Sequence, residues 1–244
     1  MSANPEISRF AGPEVLAATV AGRWLDLIAA AGAQGRRHLA ALSGGRITHR
    51  LFAEVVAQSR TRGLSLAGVD FFWADERCLP PSDAESNFRM AQELLFGPLK
   101  IAAGQIHRLK GELEPEAAAQ EASAEILRVA PVDAGGRPVL DLILLGMGED
   151  GHVASLFPGA SAAVWRCGTP YLVIRESPKP PPIRLSLSLG AIVAARETWV
   201  LASGAGKEQA LSDSLAGADR TPLGRVIGAR TLAGTGTRVF ADVK

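Results

Sequence analysis

One turn in this chain gathers more reactive groups than any other. Val139 to Leu145 is a continuous apolar run broken only by Asp141, and Gly146, Gly148 and Gly151 follow it, interleaved with Glu149, Asp150 and His152. A short apolar run bounded by glycines reads as a buried, parallel central strand. Ligands of open α/β sheets lie at the carboxyl ends of such strands. Histidine is the side chain that is a base near neutral pH, and a neighbouring carboxylate can orient it. The turn therefore offers general-base chemistry at His152, with Asp150 beside it.

Three further stretches offer charge to an anion. Ser43-Gly44-Gly45 follows an apolar segment and precedes a helical pattern, so backbone N–H groups and a helix N-terminus can cradle phosphate there, with Arg46 adding a cation. Asp75-Glu76-Arg77 ends the strand-like run Val69–Ala74, where charges cannot be buried without partners. Arg77 presents a planar fork for an anionic group, and Asp75 can act as a base or hold a sugar hydroxyl. Ser177 to Arg184 contains four prolines and is neither helix nor inner strand, so it holds Lys179 and Arg184 on a stiff loop. Lys207 follows the Ser203–Gly206 turn at the start of a helix, where the dipole favours acids, so a cation there fits a bound anion. Together Arg77, Lys179, Arg184 and Lys207 can meet on one phosphate while His152 faces the reacting carbon.

Other chemistries lack their motifs. There is no HExxH spacing, no GxGxxG opening a helix, no Walker lysine and no GxSxG elbow. No metal and no cofactor is expected. His38 reads as a strand residue, His49 as surface, and His107 as structural. Cys78, next to Arg77, is a candidate for a lowered thiol pKa but not for catalysis.

The elements that must position these groups alternate. A lead-in covers residues 1–12, and Pro13 opens a helix with Leu16, Val20, Trp24, Leu27 and Ala31 on one stripe, closed by Gly32 and Gly35. Strands are predicted at 36–42, 69–74, 106–109, 139–145, 171–175, 197–202 and 237–243, and 185–189 reads as a strand or a helix start. Helices are predicted from Thr48, from Ser86-Asn87, over 114–129 and after Lys207. Seven or eight strands alternating with helices imply an α/β fold, Rossmann-like, with a mostly parallel sheet covered by helices on both faces. No internal repeat or linker divides the chain, so residues 1–244 are expected to form a single domain.

The 244 residues carry a net charge of +1 and are 47% hydrophobic, which excludes nucleic acid or an anionic membrane as a partner held by bulk charge. Two well-separated cysteines and no basic, then apolar, N-terminus fit a cytoplasmic protein with reduced thiols. No apolar run approaches the ~20 residues of a membrane span.

Leu42–Gly45, Asp75–Arg77 with Pro80 and Ser86-Asn87, Gly146–Gly159, and Ser177–Arg184 together resemble the 6-phosphogluconolactonases of the glucosamine-6-phosphate isomerase/lactonase superfamily, with Gly206-Lys207 a weaker match. The resemblance implies a cofactor-free hydrolase of a small sugar-phosphate lactone, 6-phospho-D-glucono-1,5-lactone, in the oxidative pentose phosphate pathway, acting as a monomer or a dimer. His152 would activate water, Asp75 or Asp150 would orient it or a substrate hydroxyl, and the cations with Ser43, Gly44 and Gly45 would hold the phosphate. The chain departs from the family where Ser-Gly-Gly is followed by Arg46-Ile47-Thr48-His49 instead of Ser-Thr-Pro. Two alternatives remain. A glucosamine-6-phosphate deaminase/isomerase would need an acid five residues after the histidine, where this chain has Phe157. A non-catalytic sugar-phosphate sensor would need a DNA-reading unit, and no basic helix-turn-helix pattern precedes residue 36.

Overall fold

A computed structural model describes residues 5–217 and 219–243. The chain runs β1 (Glu6–Arg9), α1 (Pro13–Ala33), β2 (His38–Leu42), α2 (Arg46–Arg62), β3 (Val69–Trp73), β4 (Asp75–Arg77), α3 (Asn87–Ala91), α4 (Gly97–Leu99) and α5 (Pro115–Val129). It continues with β5 (Leu142–Gly146), α6 (Ala162–Trp165), β6 (Tyr171–Ile174), β7 (Arg184–Leu187), α7 (Leu189–Ala194), β8 (Glu197–Ala202), α8 (Glu208–Ala216), α9 (Pro222–Leu232) and β9 (Arg238–Ala241).

Six strands form one wholly parallel sheet in the order β1-β9-β8-β5-β2-β3. The α/β expectation holds, and its cause is visible: every residue of β2 and β3 and the apolar part of β5 is buried, as parallel strands covered by helices require. Helix α1 packs on α2, while α9 packs on α7 and α8. Trp24 of α1 donates its indole N–H to His38 Nε2 at 3.1 Å. Burial pushes the His38 pKa down to about 4, so it is a neutral core residue.

Several expectations are corrected. The lead-in contains β1, paired in register with β9, and residues 1–4 of it lie outside the described residues. Residues 106–109 are not a strand; Ile106 makes only an isolated bridge to Phe71. Helix α2 begins at Arg46, two residues before Thr48, and α6 and α9 occupy stretches given no element. By length and composition α1 is apolar enough to cross a membrane, against the sequence expectation; Leu16, Val20, Trp24 and Ile28 put that apolar face into the core.

The largest difference is a second, antiparallel sheet, β4-β7-β6. The chain passes from β3 to β4 through Ala74 alone. The Ala74 N–H donates to Leu42 O of the first sheet, and its carbonyl accepts from Leu187 N of the second, each at 2.7 Å. A three-residue strand written Asp-Glu-Arg carries no apolar pattern, because its partners are non-local.

Behind α9, the buried guanidinium of Arg230 closes the sheet's other end. It donates to the carbonyls of Ile192, Val193, Ala195, Arg196 and Gly236 at 2.8–3.3 Å. These are the orphan carbonyls at the end of α7 and the carbonyls of the connections entering β8 and β9. Burial pushes its pKa down to about 10.

Candidate active site

The turn after β5 is folded back on itself. Gly148 N–H donates to His152 O at 2.9 Å and Gly151 N–H to Gly148 O at 3.1 Å, which places the Asp150 and His152 side chains together. Gly148 is required by that pairing: a Cβ there would lie 2.0 Å from His152 Nδ1 and 2.6 Å from Asp150 Oδ1. Gly151 adopts φ +76°, a left-handed conformation that suits glycine.

His152 Nδ1 lies 2.5 Å from Asp150 Oδ1. Burial pushes the Asp150 carboxyl up, but the hydrogen bond and charge of His152 outweigh it, and the net shift is downward. An ionised carboxylate only accepts, so Nδ1 carries the proton and the Nε2 lone pair is free. Burial lowers the His152 pKa below its ordinary 6.5; Asp150 and Asp75 pull it partly back, while Lys179 pushes it further down. The imidazole is thus a neutral base at pH 7. The Phe157 ring packs against it at 4.6 Å between centroids, fixing its plane.

His152 lines a cavity of about 320 Å³ at the carboxyl ends of the strands. The structure brings ten of the eleven predicted site residues to its wall: Ser43, Gly44, Gly45 and Arg46 after β2, Asp75 and Arg77 on β4, His152, Lys179 and Arg184 around the proline loop, and Lys207 before α8. The eleventh, Asp150, stands behind His152.

The Ser-Gly-Gly turn is locked from both sides. Ser43 Oγ–H donates to Leu144 O at 2.7 Å. Gly44 lies so close to α3 that a Cβ would sit 2.0 Å from Asn87 Oδ1. Gly45, at φ +111°, then feeds α2, whose first N–H groups have no intrahelical acceptor.

The charged groups divide by their partners. Arg46, Lys179 and Lys207 make no side-chain ion pair or hydrogen bond among the described residues. Burial lowers the Lys207 pKa, and Arg46 lowers it further. Arg77 gives one Nη1 bond to Glu85 O, while its buried Nε has no protein acceptor. Arg184 is spent largely on the loop: it donates to Lys179 O, Pro180 O and Pro181 O at 3.0–3.2 Å, and stands 4.0 Å from Asp75. Its burial lowers its pKa. Arg184 thus holds the segment that presents Lys179, a role proline content alone does not show.

Asp75 makes no hydrogen bond to His152. Its carboxylate accepts from Ser155 Oγ–H at 2.7 Å and from Asn87 Nδ2 at 3.4 Å, which leaves Asp150 as the group that orients the imidazole. Glu76 caps α3, accepting from the N–H groups of Asn87 and Phe88 at 2.9 and 2.8 Å. Burial raises the Glu76 pKa despite these bonds. The lowered thiol expected at Cys78 is also overturned: burial, then Glu76, pushes it up to about 11. Asn87 and Ser155 receive no role from sequence reasoning. Both act through Asp75 across separations of 12 and 80 residues, which no local pattern reveals.

A cavity of about 510 Å³ lies elsewhere, beside α5, but its His107, Arg108 and Lys110 are already paired with Glu125, Glu112 and Glu121. No group of three or more acids, histidines and cysteines placed to hold a metal occurs among the described residues.

A family model described as glucosamine-6-phosphate isomerases/6-phosphogluconolactonase matches residues 11–233. The chain is 35% identical to the 6-phosphogluconolactonase of Streptomyces coelicolor over 224 residues, 89% of this chain and 85% of the relative. It is 35% identical to that of Mycobacterium tuberculosis over 226 residues, 90% and 88% of the two chains. The solved structure of 6-phosphogluconolactonase from Trypanosoma brucei superposes with a TM-score of 0.80 at 29% identity, covering 99% of this chain and 98% of that one.

Proposed function

The chain belongs to the glucosamine-6-phosphate isomerase/6-phosphogluconolactonase family, and from that premise we propose that it hydrolyses 6-phospho-D-glucono-1,5-lactone to 6-phospho-D-gluconate. The observation that carries the reading is the Asp150–His152 pair with a free Nε2 on a cavity whose wall also carries Arg46, Arg77, Lys179, Arg184 and Lys207.

In the proposed reaction, Nε2 of neutral His152 takes a proton from water as the water oxygen attacks the lactone carbonyl. Asp150 holds Nδ1–H and stabilises the imidazolium that forms. The Lys179 ammonium, whose charge already acts on His152, faces the oxygen that becomes negative. When the tetrahedral intermediate collapses, the ring C–O bond breaks and the imidazolium gives its proton to the departing ring oxygen, which leaves as a hydroxyl. Water is the only co-reactant and the base is regenerated, so no cofactor or metal enters the scheme. The lone pairs that the Asp75 carboxylate keeps beyond its bonds from Ser155 and Asn87 suit a sugar hydroxyl. The Ser43-Gly44-Gly45 turn, Arg77 and Lys207 hold the phosphate, with Arg184 bracing the loop between.

Phe157 favours hydrolysis over aldose–ketose proton shuttling. The position where the deaminase branch was expected to carry an acid holds an aromatic ring packed on the base. On this reading residues 1–244 work as one domain on a free metabolite in the cytoplasm.

The test is hydrolysis of freshly made lactone by wild type and His152→Ala, each read above the uncatalysed opening. A positioned base is worth roughly 10²–10⁴-fold, and a loss of that size is expected. A wild-type rate no faster than background sinks the proposal and makes glucosamine 6-phosphate the next substrate to try.

A further inference from the structure

We propose that Arg46 is a specificity residue that makes this cavity select a phosphate group in its dianionic form, an inference that rests on the lactonase reading for the sugar but not for the anion. Arg46 is the first residue of α2, and its guanidinium reaches across to the turn after β8: Nη2 is 3.7 Å from where a Cβ on Gly204 would stand. It therefore joins the two glycine turns that bound this end of the cavity.

Its surroundings show why it matters. The charged groups acting on Lys207 are Arg46 from α2, Lys179 from the proline loop, Glu149 from the turn after β5 and Asp242 from the segment after β9. Asp242 is already engaged, accepting from Ser203 Oγ–H at 2.6 Å and Gly204 N–H at 3.0 Å. Among the described residues three cations thus face two carboxylates. Arg77, Arg184 and Asp75 stand on the same cavity wall, so removing Arg46 leaves that wall cationic but less so, and weakens its coulombic preference for a doubly over a singly charged ligand. With it, this end of the wall gains a further positive charge, and the added group is a planar fork matched to phosphate oxygens.

Arg46 contributes nothing evident to the fold. It has no acceptor among the described residues, it stands at a helix N-terminus where a cation is disfavoured, and it pushes its cationic neighbour Lys207 toward losing a proton. These costs are offset when an anion bearing two charges sits between the two cations.

The test compares wild type, Arg46→Ser and Arg46→Lys on 6-phosphogluconolactone and unphosphorylated glucono-1,5-lactone across about pH 5 to 8, bracketing the second ionisation of a phosphate monoester near 6. The readout is the ratio of kcat/KM for the two lactones, in which titration of His152 cancels. In wild type this ratio should rise as the phosphate loses its second proton. Arg46→Ser should lower it roughly 10- to 100-fold, the worth of a charge-assisted contact, and flatten its pH dependence. Arg46→Lys should keep the slope and recover part of the loss. Calorimetric titration with inorganic phosphate gives a second readout that needs no turnover, and there Arg46→Ser should bind at least about tenfold more weakly. Equal losses on both lactones, or a phosphate affinity unchanged in Arg46→Ser, overturns the inference. If wild type opens neither lactone, the hydrolase reading fails and the phosphate titration alone decides the role of Arg46.

Discussion

Arg230 and Lys207 stand at opposite ends of β8, and the protein treats the two cations in opposite ways. Arg230, at the entry to the strand, is wholly buried and spends its donors on five backbone carbonyls. Lys207, beyond the strand's exit, is largely buried beside Arg46 and has no hydrogen-bond acceptor among the described residues. Both pKa values are depressed by burial, so the shift itself does not distinguish them. The partners do. A buried cation whose donors all end on main-chain oxygen has its work inside the fold, whereas one left without an acceptor is placed for something from outside.

The contrast can be broken most forcefully at the entry end. Arg230→Met takes the guanidinium donors away from five carbonyls and should cost about 3–5 kcal/mol, the range for removing one partner from a buried charged network. Thermal melting should then fall by roughly 6–20 °C, with activity per folded molecule little changed. At the exit end, Gly148→Ala should do the reverse. Its Cβ would lie 2.0 Å from His152 Nδ1, and a base displaced by about 1 Å costs roughly 100-fold in rate. Lys207→Ala should lower kcat/KM on the phosphorylated lactone by about 10- to 100-fold while melting stays within about 2 °C. A large melting loss in Lys207→Ala would erase the distinction between the two ends.

The smallest effect sharpens the comparison through pH. Burial lowers the His152 pKa from its ordinary 6.5, so the free base is lost only as pH falls through the lowered value. On the unphosphorylated lactone kcat/KM should fall to half its plateau at a pH below 6.5. His38 adds a stability change of the same sign. Its folded pKa of about 4 lies under the unfolded 6.5, so the folded state binds fewer protons and stability declines as pH drops from 6.5 toward 4. Denaturant midpoints measured at pH 7 and 5 should show it.

Much of this was legible in the sequence because the signals are local. The central strand, the glycine turns and the cations are each short stretches whose meaning depends on near neighbours, and Asp150 lies two residues from the histidine it orients. What escaped was non-local. Strand β1 is a short, exposed edge without an apolar run. Strand β4 is buried and charged, and its neutralising contacts come from Ser155 and from the start of α3. Arg184 reads as a ligand-binding cation, and its further bonds to the loop carbonyls around it are not visible in the sequence. Helix α9 is the exception: Thr221-Pro222 is a local start signal, and Thr221 Oγ1 does accept from Gly224 N–H at 3.0 Å.

Ala74 has a mechanical consequence. One residue is a rung in both sheets, its N–H committed to β2 and its carbonyl to β7. The Ser-Gly-Gly turn is carried by the first of these strands, and the proline loop by the second. The two walls are therefore welded at Ala74 rather than hinged there, and Tyr171 Oη–H of β6 adds a bond to Trp73 O of β3 at 2.7 Å. The cavity has no jaws: its span is set when the chain folds, and a ligand enters past loops rather than between moving lobes. Hydrogen exchange at the Ala74 and Leu187 amides should accordingly be as slow as in the central strands, with or without phosphate bound.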